Sequence, residues 1–275
     1  MKGIAGKSAV VTGGTSGIGY ATAQRLLSLG ARVLIVGRNP EKGKNALRKL
    51  REEHPGTECH LFLGNLGDEQ NCREIIAEGI RLFGSIDFLV NNGFAFTRWA
   101  WDASRWHWDH VMEAGPLNYY TMIREFVDQH PEGHKGAIVN TSSISAFIAQ
   151  DRSWTYNTAK GLVRQLTISA GLELAPDIRV NSISPAGVLT DEVKGIQIKK
   201  GDGTQEEEGS RSDTMLRRII MPEECASAIV FLLSDGASAI TGTDIAVDAG
   251  YCQVGPGGIP EISDKSKFFD YYGTN

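Results

Sequence analysis

Ser8-Ala9-Val10-Val11-Thr12-Gly13-Gly14-Thr15-Ser16-Gly17-Ile18-Gly19 is the stretch from which the fold can be read. Ser8 to Thr12 is a short apolar run of the buried-strand type, and Tyr20 to Leu29 has helical apolar spacing that stops at Gly30. A glycine-rich turn joins them. A strand, such a turn and a helix in that order make a site for a dinucleotide pyrophosphate. Glycines let the backbone come close, and the helix N-terminus offers open N–H groups and the positive end of its dipole. Working outward, Arg32–Val36, Cys59–Leu63, Ile86–Val90, Ala137–Thr141, Ile178–Ile183 and Thr243–Val247 read as further strands. Helices are expected at Pro40–Glu53, Glu69–Phe83, around and after Tyr156, and at Ala226–Leu233, opened by Pro222. Strands alternating with helices of this length call for an α/β protein with a doubly wound parallel sheet, covered on both faces. No internal repeat or linker divides the chain, so a single domain is expected.

The composition excludes several function classes. A chain of 275 residues that is 41% hydrophobic can bury a substantial core. The net charge of −5 is spread over interleaved acids and bases, with no basic stripe for nucleic acid. Cys59, Cys72, Cys225 and Cys252 are scattered, with no C-x-x-C and no neighbouring histidine cluster. That pattern argues for a reducing compartment and against a structural metal. Met1 to Lys7 lacks the apolar run of a signal peptide, and no stretch approaches a membrane span. The expectation is a cytoplasmic protein that acts on a small molecule, without nucleic-acid or membrane partners.

The chemistry centres on Ser153-Trp154-Thr155-Tyr156-Asn157-Thr158-Ala159-Lys160. On a helix Tyr156 and Lys160 share one face, one turn apart. An ammonium beside a phenol stabilises the phenolate, pulls the phenol pKa down from about 10, and makes the tyrosine a general acid or base. Just past the second strand, Gly37 offers no carboxylate for a ribose 2′-hydroxyl, whereas Arg38 offers a cation for a 2′-phosphate. That arrangement favours NADP(H) over NAD(H).

Three further segments stand out. Phe94, Phe96, Trp99, Trp101, Trp106 and Trp108 crowd one stretch after the fourth strand, as pocket lining, oligomer interface or core. Gly115-Pro116 lies inside the next helix, where the missing N–H deprives the Met112 carbonyl of its partner and the ring forces a kink. The segment at about 190–221 has a charged, glycine-rich centre and an apolar stripe at Met215, Leu216, Ile219 and Ile220, as a lid over the strand ends would.

Taken together, these residues resemble the short-chain dehydrogenase/reductase family over roughly Gly6 to Tyr251. Thr12-Gly13-x-x-x-Gly17-Ile18-Gly19 is similar to the family's cofactor turn, and Asn91-Asn92-Gly93 resembles its Asn-Asn-Ala-Gly. Tyr156-x-x-x-Lys160 matches its catalytic pair, with Ser143 thirteen residues before Tyr156, and Pro185 followed by Thr190 resembles its nicotinamide segment. The resemblance implies a Rossmann fold over 1–251, a homodimer or homotetramer, and an NADP(H)-dependent oxidoreductase interconverting a secondary alcohol and a ketone. Ser143 would hold the substrate oxygen, Tyr156 would exchange its proton, and Lys160 would bind the nicotinamide ribose and tune Tyr156. Cofactor contacts are implied for Gly13, Thr15, Ser16, Gly17, Ile18, Gly19 and Arg38, then for Asn65, Leu66, Asn92 and Gly93, and finally for Tyr156, Lys160, Pro185, Val188 and Thr190. Phe94, Phe96, Trp99, Phe147 and Trp154 are the expected substrate lining, suited to a bulky or ring-containing substrate.

The sequence also departs from the family pattern. Gly115 stands where the family carries an Asn whose main-chain carbonyl holds a relay water, and a carbonyl freed by the Gly115-Pro116 kink is expected to hold that water instead. Asn65 replaces an adenine-contacting Asp, Ala186 replaces the Gly of Pro-Gly, and Phe94 ends the Asn-Asn motif. The extension 252–275 carries Phe268, Phe269, Tyr271 and Tyr272 and is expected to cover an active site. The altered relay leaves an isomerase, lyase or cyclase without net redox as an alternative, and a non-catalytic NADP-binding protein as another.

Overall fold

The computed structural model describes residues 1–95, 97–190 and 213–255, together with the backbone of 197–199 and 205–207. Phe96, most of the expected lid and the extension from 256 onward lie outside the described residues.

The central apolar runs form buried strands because helices cover both of their faces. β1 (Ser8–Thr12), β2 (Arg32–Gly37), β3 (Cys59–Leu63), β4 (Phe88–Asn91), β5 (Gly136–Thr141), β6 (Ile178–Pro185) and β9 (Asp244–Val247) make one seven-stranded sheet, in the order β3-β2-β1-β4-β5-β6-β9. Every pairing in it is parallel. Successive strand residues point to opposite faces, and each face has its own core. Ala9, Val11, Val33, Ile35, Val90 and Val139 meet α1 (Gly17–Ser28) and α7 (Pro222–Leu233) on one side. Val10, Leu34, Val36, Leu89, Ile138 and Val180 meet α3 (Glu69–Phe83) and α5 (Asn118–Asp128) on the other. α2 (Pro40–Glu53) is capped by Asn39, which accepts the Lys42 N–H at 3.0 Å.

Two local features go beyond the sequence expectation. Lys199 and Gln205 close a short antiparallel pairing of β7 (Gln197–Lys199) with β8 (Gln205–Glu207), within the segment read as a lid. The Gly115-Pro116 helix is bridged rather than broken. α4 (Arg105–Met112) passes through a π turn at Glu113–Leu117 into α5. A π turn pairs each carbonyl with a donor one residue further on, which steps over the N–H that Pro116 lacks.

Two histidines anchor the start of β4. Ile86 N–H donates to His130 Nε2 at 3.0 Å, so the His130 proton is on Nδ1, which donates to the Phe126 carbonyl at 2.7 Å. His134 stacks on His130 at 4.0 Å and donates through Nε2 to the Ile86 carbonyl. Burial is the main force holding His130 below its ordinary value; the His134 ring adds to it, while the Phe126 carbonyl and Asp87 oppose it. A base depressed in the folded state contributes stability that is complete above its unfolded pKa of about 6.5 and is lost as pH falls through the folded value. Thermal unfolding followed from pH 7.5 to 5 should therefore show a falling midpoint, and His130→Gln should flatten that decline. An unchanged slope in the variant would assign the acid sensitivity elsewhere.

Candidate active site

The expected cofactor residues converge at the carboxyl ends of the strands. Gly13 has φ 63°, and a Cβ there would lie 2.9 Å from Asn92 Nδ2 and from Gly93 Cα. At Gly19 a Cβ would come within 2.2 Å of the Gly13 carbonyl oxygen. Neither position has room for a side chain, which is what lets β1 turn so closely into α1. Ser16 caps α1 without a side-chain hydrogen bond to its first amides, so those N–H groups face outward with the dipole. The neighbours close the ring. Space at Gly37 is bounded by Thr15, at Gly93 by Leu66, and at Gly17 by Thr190. Arg38 is exposed beyond Gly37, and Ile18 packs on the core. Asn65 is exposed and accepts the Gly67 N–H at 3.2 Å.

Thr12 and Asn92 tie the ends together. The Thr12 hydroxyl accepts the Asn92 and Gly93 N–H groups at 2.9 and 3.0 Å, and the Asn92 amide donates to the Thr12 carbonyl at 3.3 Å. Asn92 Oδ1 accepts from the Thr141 hydroxyl on β5 at 3.4 Å. Beyond β6, Val188 is buried against Ile220 and its carbonyl accepts the Thr190 N–H at 2.8 Å. Pro185 ends β6, opposite Val247 of β9. A cradle of glycine backbone and outward amides fits a dinucleotide pyrophosphate.

β5 delivers Ser143 and α6 (Trp154–Glu173) delivers Tyr156 and Lys160, all three buried. Lys160 Nζ donates to the Thr141 carbonyl at 2.9 Å, and its own carbonyl accepts from Ser142 Oγ at 3.1 Å. Ser143 Oγ accepts the Ser145 N–H at 3.2 Å and donates to Ser145 Oγ at 3.1 Å. Burial pushes the Tyr156 phenol above its ordinary value, against a hydrogen bond with Ser143 and the charge of Arg98. Burial pushes Lys160 down to about 7. The sequence argument expects Lys160 to pull the phenol down. In the protein alone, desolvation dominates both groups and the cation acting on Tyr156 is Arg98.

The aromatic residues divide. Phe94 sits edge-on to Tyr156 with ring centroids 5.6 Å apart, and Lys160 Nζ lies 3.9 Å from the centre of its ring. Trp99 is tied to α6 by backbone contacts with Thr155 and stacks on His107 at 4.3 Å. Phe147 is half exposed, with the Arg164 guanidinium 4.8 Å from its ring centre, two turns along α6 from Tyr156. Trp154 turns to Trp101, at 6.0 Å, on another face of α6 from Tyr156. Neither Phe147 nor Trp154 is brought against the Ser143, Tyr156 and Lys160 group by any of these contacts. Arg98, 5.4 Å from the Tyr156 ring centre, was not singled out by the sequence reading. Its one signal is a charge set in an aromatic loop at the sheet's carboxyl end. Among the described residues no His, Cys, Asp and Glu cluster could hold a metal ion, and no helix is long and apolar enough to cross a membrane.

Known proteins resemble this chain over most of its length. The family described as enoyl-(acyl carrier protein) reductase matches residues 13–252. A cyclopentanol dehydrogenase of Comamonas sp. (strain NCIMB 9872) is 32% identical over 251 residues, covering 89% of this chain and 96% of that protein. An NADP-dependent (R)-specific alcohol dehydrogenase of Lentilactobacillus kefiri is 31% identical over 252 residues, covering 90% and 96%. A short-chain type dehydrogenase/reductase from Mycobacterium ulcerans superposes with a TM-score of 0.82 at 27% identity, covering 90% of each chain. With a parallel seven-stranded sheet and relatives of this extent, the chain belongs to the short-chain dehydrogenase/reductase family.

Proposed function

We propose that the protein is an NADP(H)-dependent oxidoreductase that interconverts a secondary alcohol and a ketone on a small organic substrate. The observation that carries this reading is the meeting of Ser143, Tyr156 and Lys160 beside the glycine cradle. Gly13, Thr15, Ser16, Gly17, Ile18 and Gly19 would hold the pyrophosphate end, with Asn65, Leu66, Asn92 and Gly93 towards the adenosine and the sheet. Pro185, Val188 and Thr190 would flank the nicotinamide, which supplies or takes up the hydride. Ser143 orients the substrate oxygen through its hydroxyl. Tyr156, whose buried phenol stays protonated at neutral pH, donates a proton to that oxygen as negative charge develops on it. Lys160 holds the ribose and places a donor near the same phenol. Fixing both partners in one geometry supplies the remaining advantage. The names of the two alcohol dehydrogenases above support an alcohol or ketone substrate, and Phe94 and Trp99 would shape the pocket for a ring.

Deuterium transfer tests this reading. Purified protein is incubated with metabolite extract and NADPH deuterated at C4, and the products are read by mass spectrometry. A deuterated alcohol is the expected result. New unlabelled products would replace the reading with an isomerase, lyase or cyclase. The cofactor choice has its own test. A charge-assisted contact to a 2′-phosphate is worth about 1.5–3 kcal/mol, so Arg38→Ala should weaken NADPH binding by about 10- to 100-fold. NADH binding should be unchanged. Equal loss for both cofactors would remove the 2′-phosphate role from Arg38.

A further inference from the structure

Two departures from the family pattern touch each other. A Cβ built on Gly115 would lie 2.2 Å from Phe94 Cε2 and 2.8 Å from its Cζ, so the Phe94 ring fills the space that any other residue at 115 would need. The same ring presents its face to Lys160 Nζ at 3.9 Å and stands at 87° to the Tyr156 ring. A ring quadrupole attracts a cation placed over its face, most strongly where water is excluded, and Lys160 is buried. We propose that Phe94 is a positioning residue for Lys160, its ring face fixing the ammonium relative to Tyr156, and that Gly115 stays bare so that the ring can lie there. The catalytic meaning of this arrangement rests on the oxidoreductase reading above; the arrangement itself does not.

Other groups among the described residues also surround Lys160. Tyr156 comes from the same helix, its ring centre 5.7 Å from Nζ, and Tyr119 from α5 at 6.0 Å. β5 offers the Thr141 carbonyl, shared with the Tyr119 hydroxyl at 3.4 Å. Arg98 lies against Tyr156 from the loop after β4. The Gly115 carbonyl accepts the Asn118 N–H within the helix. The ring, with the Thr141 carbonyl, is then what fixes the ammonium from this side.

The test reads Lys160 directly. Its titration is followed by carbon NMR at Cε in full-length protein labelled on lysine, with Lys160→Met to assign the signal and thermal unfolding to confirm the fold. In the wild type the midpoint should lie near 7. Phe94→Leu keeps an apolar cover and removes the π face, so the midpoint should fall by about one unit. Phe94→Ala admits water and should raise it toward lysine's ordinary value of about 10.4. Gly115→Ala displaces the ring and should also raise it, and adding it to Phe94→Ala should move the midpoint no further, the mark of two residues acting as one. A Leu variant titrating like the wild type would reduce Phe94 to filler and overturn its role. An unmoved midpoint in Gly115→Ala, or full additivity, would overturn the pairing. None of these readouts needs turnover, so a failure to find reductase activity would sink the proposed function and leave this inference decided on its own evidence.

Discussion

Tyr156→Phe is expected to lower kcat by about 10²- to 10⁴-fold and to leave dinucleotide binding intact. The substitution removes one hydroxyl and nothing else. The phenyl ring keeps its edge contact with Phe94 at 5.6 Å and its place beneath Arg98 at 5.4 Å. Ser143 loses Tyr156 but keeps the Ser145 N–H and hydroxyl, so its position survives. What is lost is the proton donor and a hydrogen bond to the oxygen on which charge develops. General acid catalysis contributes about 10²- to 10⁴-fold, and a preorganised donor to an oxyanion about 10²- to 10³-fold. These are aspects of the same hydroxyl and do not multiply, which sets the range given. The measurement is steady-state reduction of whatever ketone the deuterium experiment identifies, beside NADPH binding by fluorescence. Activity within tenfold of the wild type would mean that the proton comes from another group, and the role assigned to Tyr156 would fall.

The parts of this molecule that could be read in sequence are those set by short-range rules. A five-residue apolar run ending in glycines specifies β1 and its turn because burial and backbone reach act over a few residues. The same holds for Tyr156 and Lys160, whose shared face follows from helical period alone. Side-chain direction relative to a distant element does not follow from period. Trp154 is two residues from Tyr156 and therefore on another side of α6, where Trp101 meets it. Phe147 lies close to Ser143 in sequence, yet its ring lies by Arg164. The Gly115-Pro116 disturbance was legible as a helix fault, but its form was not. Only the fold shows that the helix widens over Glu113–Leu117 and that the vacated space holds Phe94. The direction of the phenol shift does not follow from sequence, for a related reason. A charge pair can be counted from sequence, whereas desolvation depends on burial, and here burial is the larger influence on both partners.

The same substitution at two glycines should have opposite effects, because space and not residue type decides the outcome. Gly161 lies inside α6 with nothing among the described residues within 4 Å of where its Cβ would be. Alanine there restricts the unfolded chain and meets no obstacle, so Gly161→Ala should stabilise by about 0.5–1 kcal/mol and raise the unfolding temperature by about 1–4 °C. Gly19 is also helical, in the first turn of α1, but its Cβ would lie 2.2 Å from the Gly13 carbonyl oxygen and 2.7 Å from Asn92 Nδ2. A backbone oxygen on the turn cannot swing aside like a flexible side chain. The turn has to open, and the Asn92 amide is pushed from the Thr12 carbonyl it donates to. Overpacking of this kind costs about 1–3 kcal/mol, occasionally more. Gly19→Ala should therefore lower the unfolding temperature by several degrees and weaken NADPH binding by at least about 100-fold, since the displaced backbone is the surface on which a pyrophosphate would rest. Scanning calorimetry with and without NADPH separates the two losses. A Gly19→Ala protein that is destabilised but still gains its full shift from NADPH would keep the packing argument and remove the cofactor from this turn.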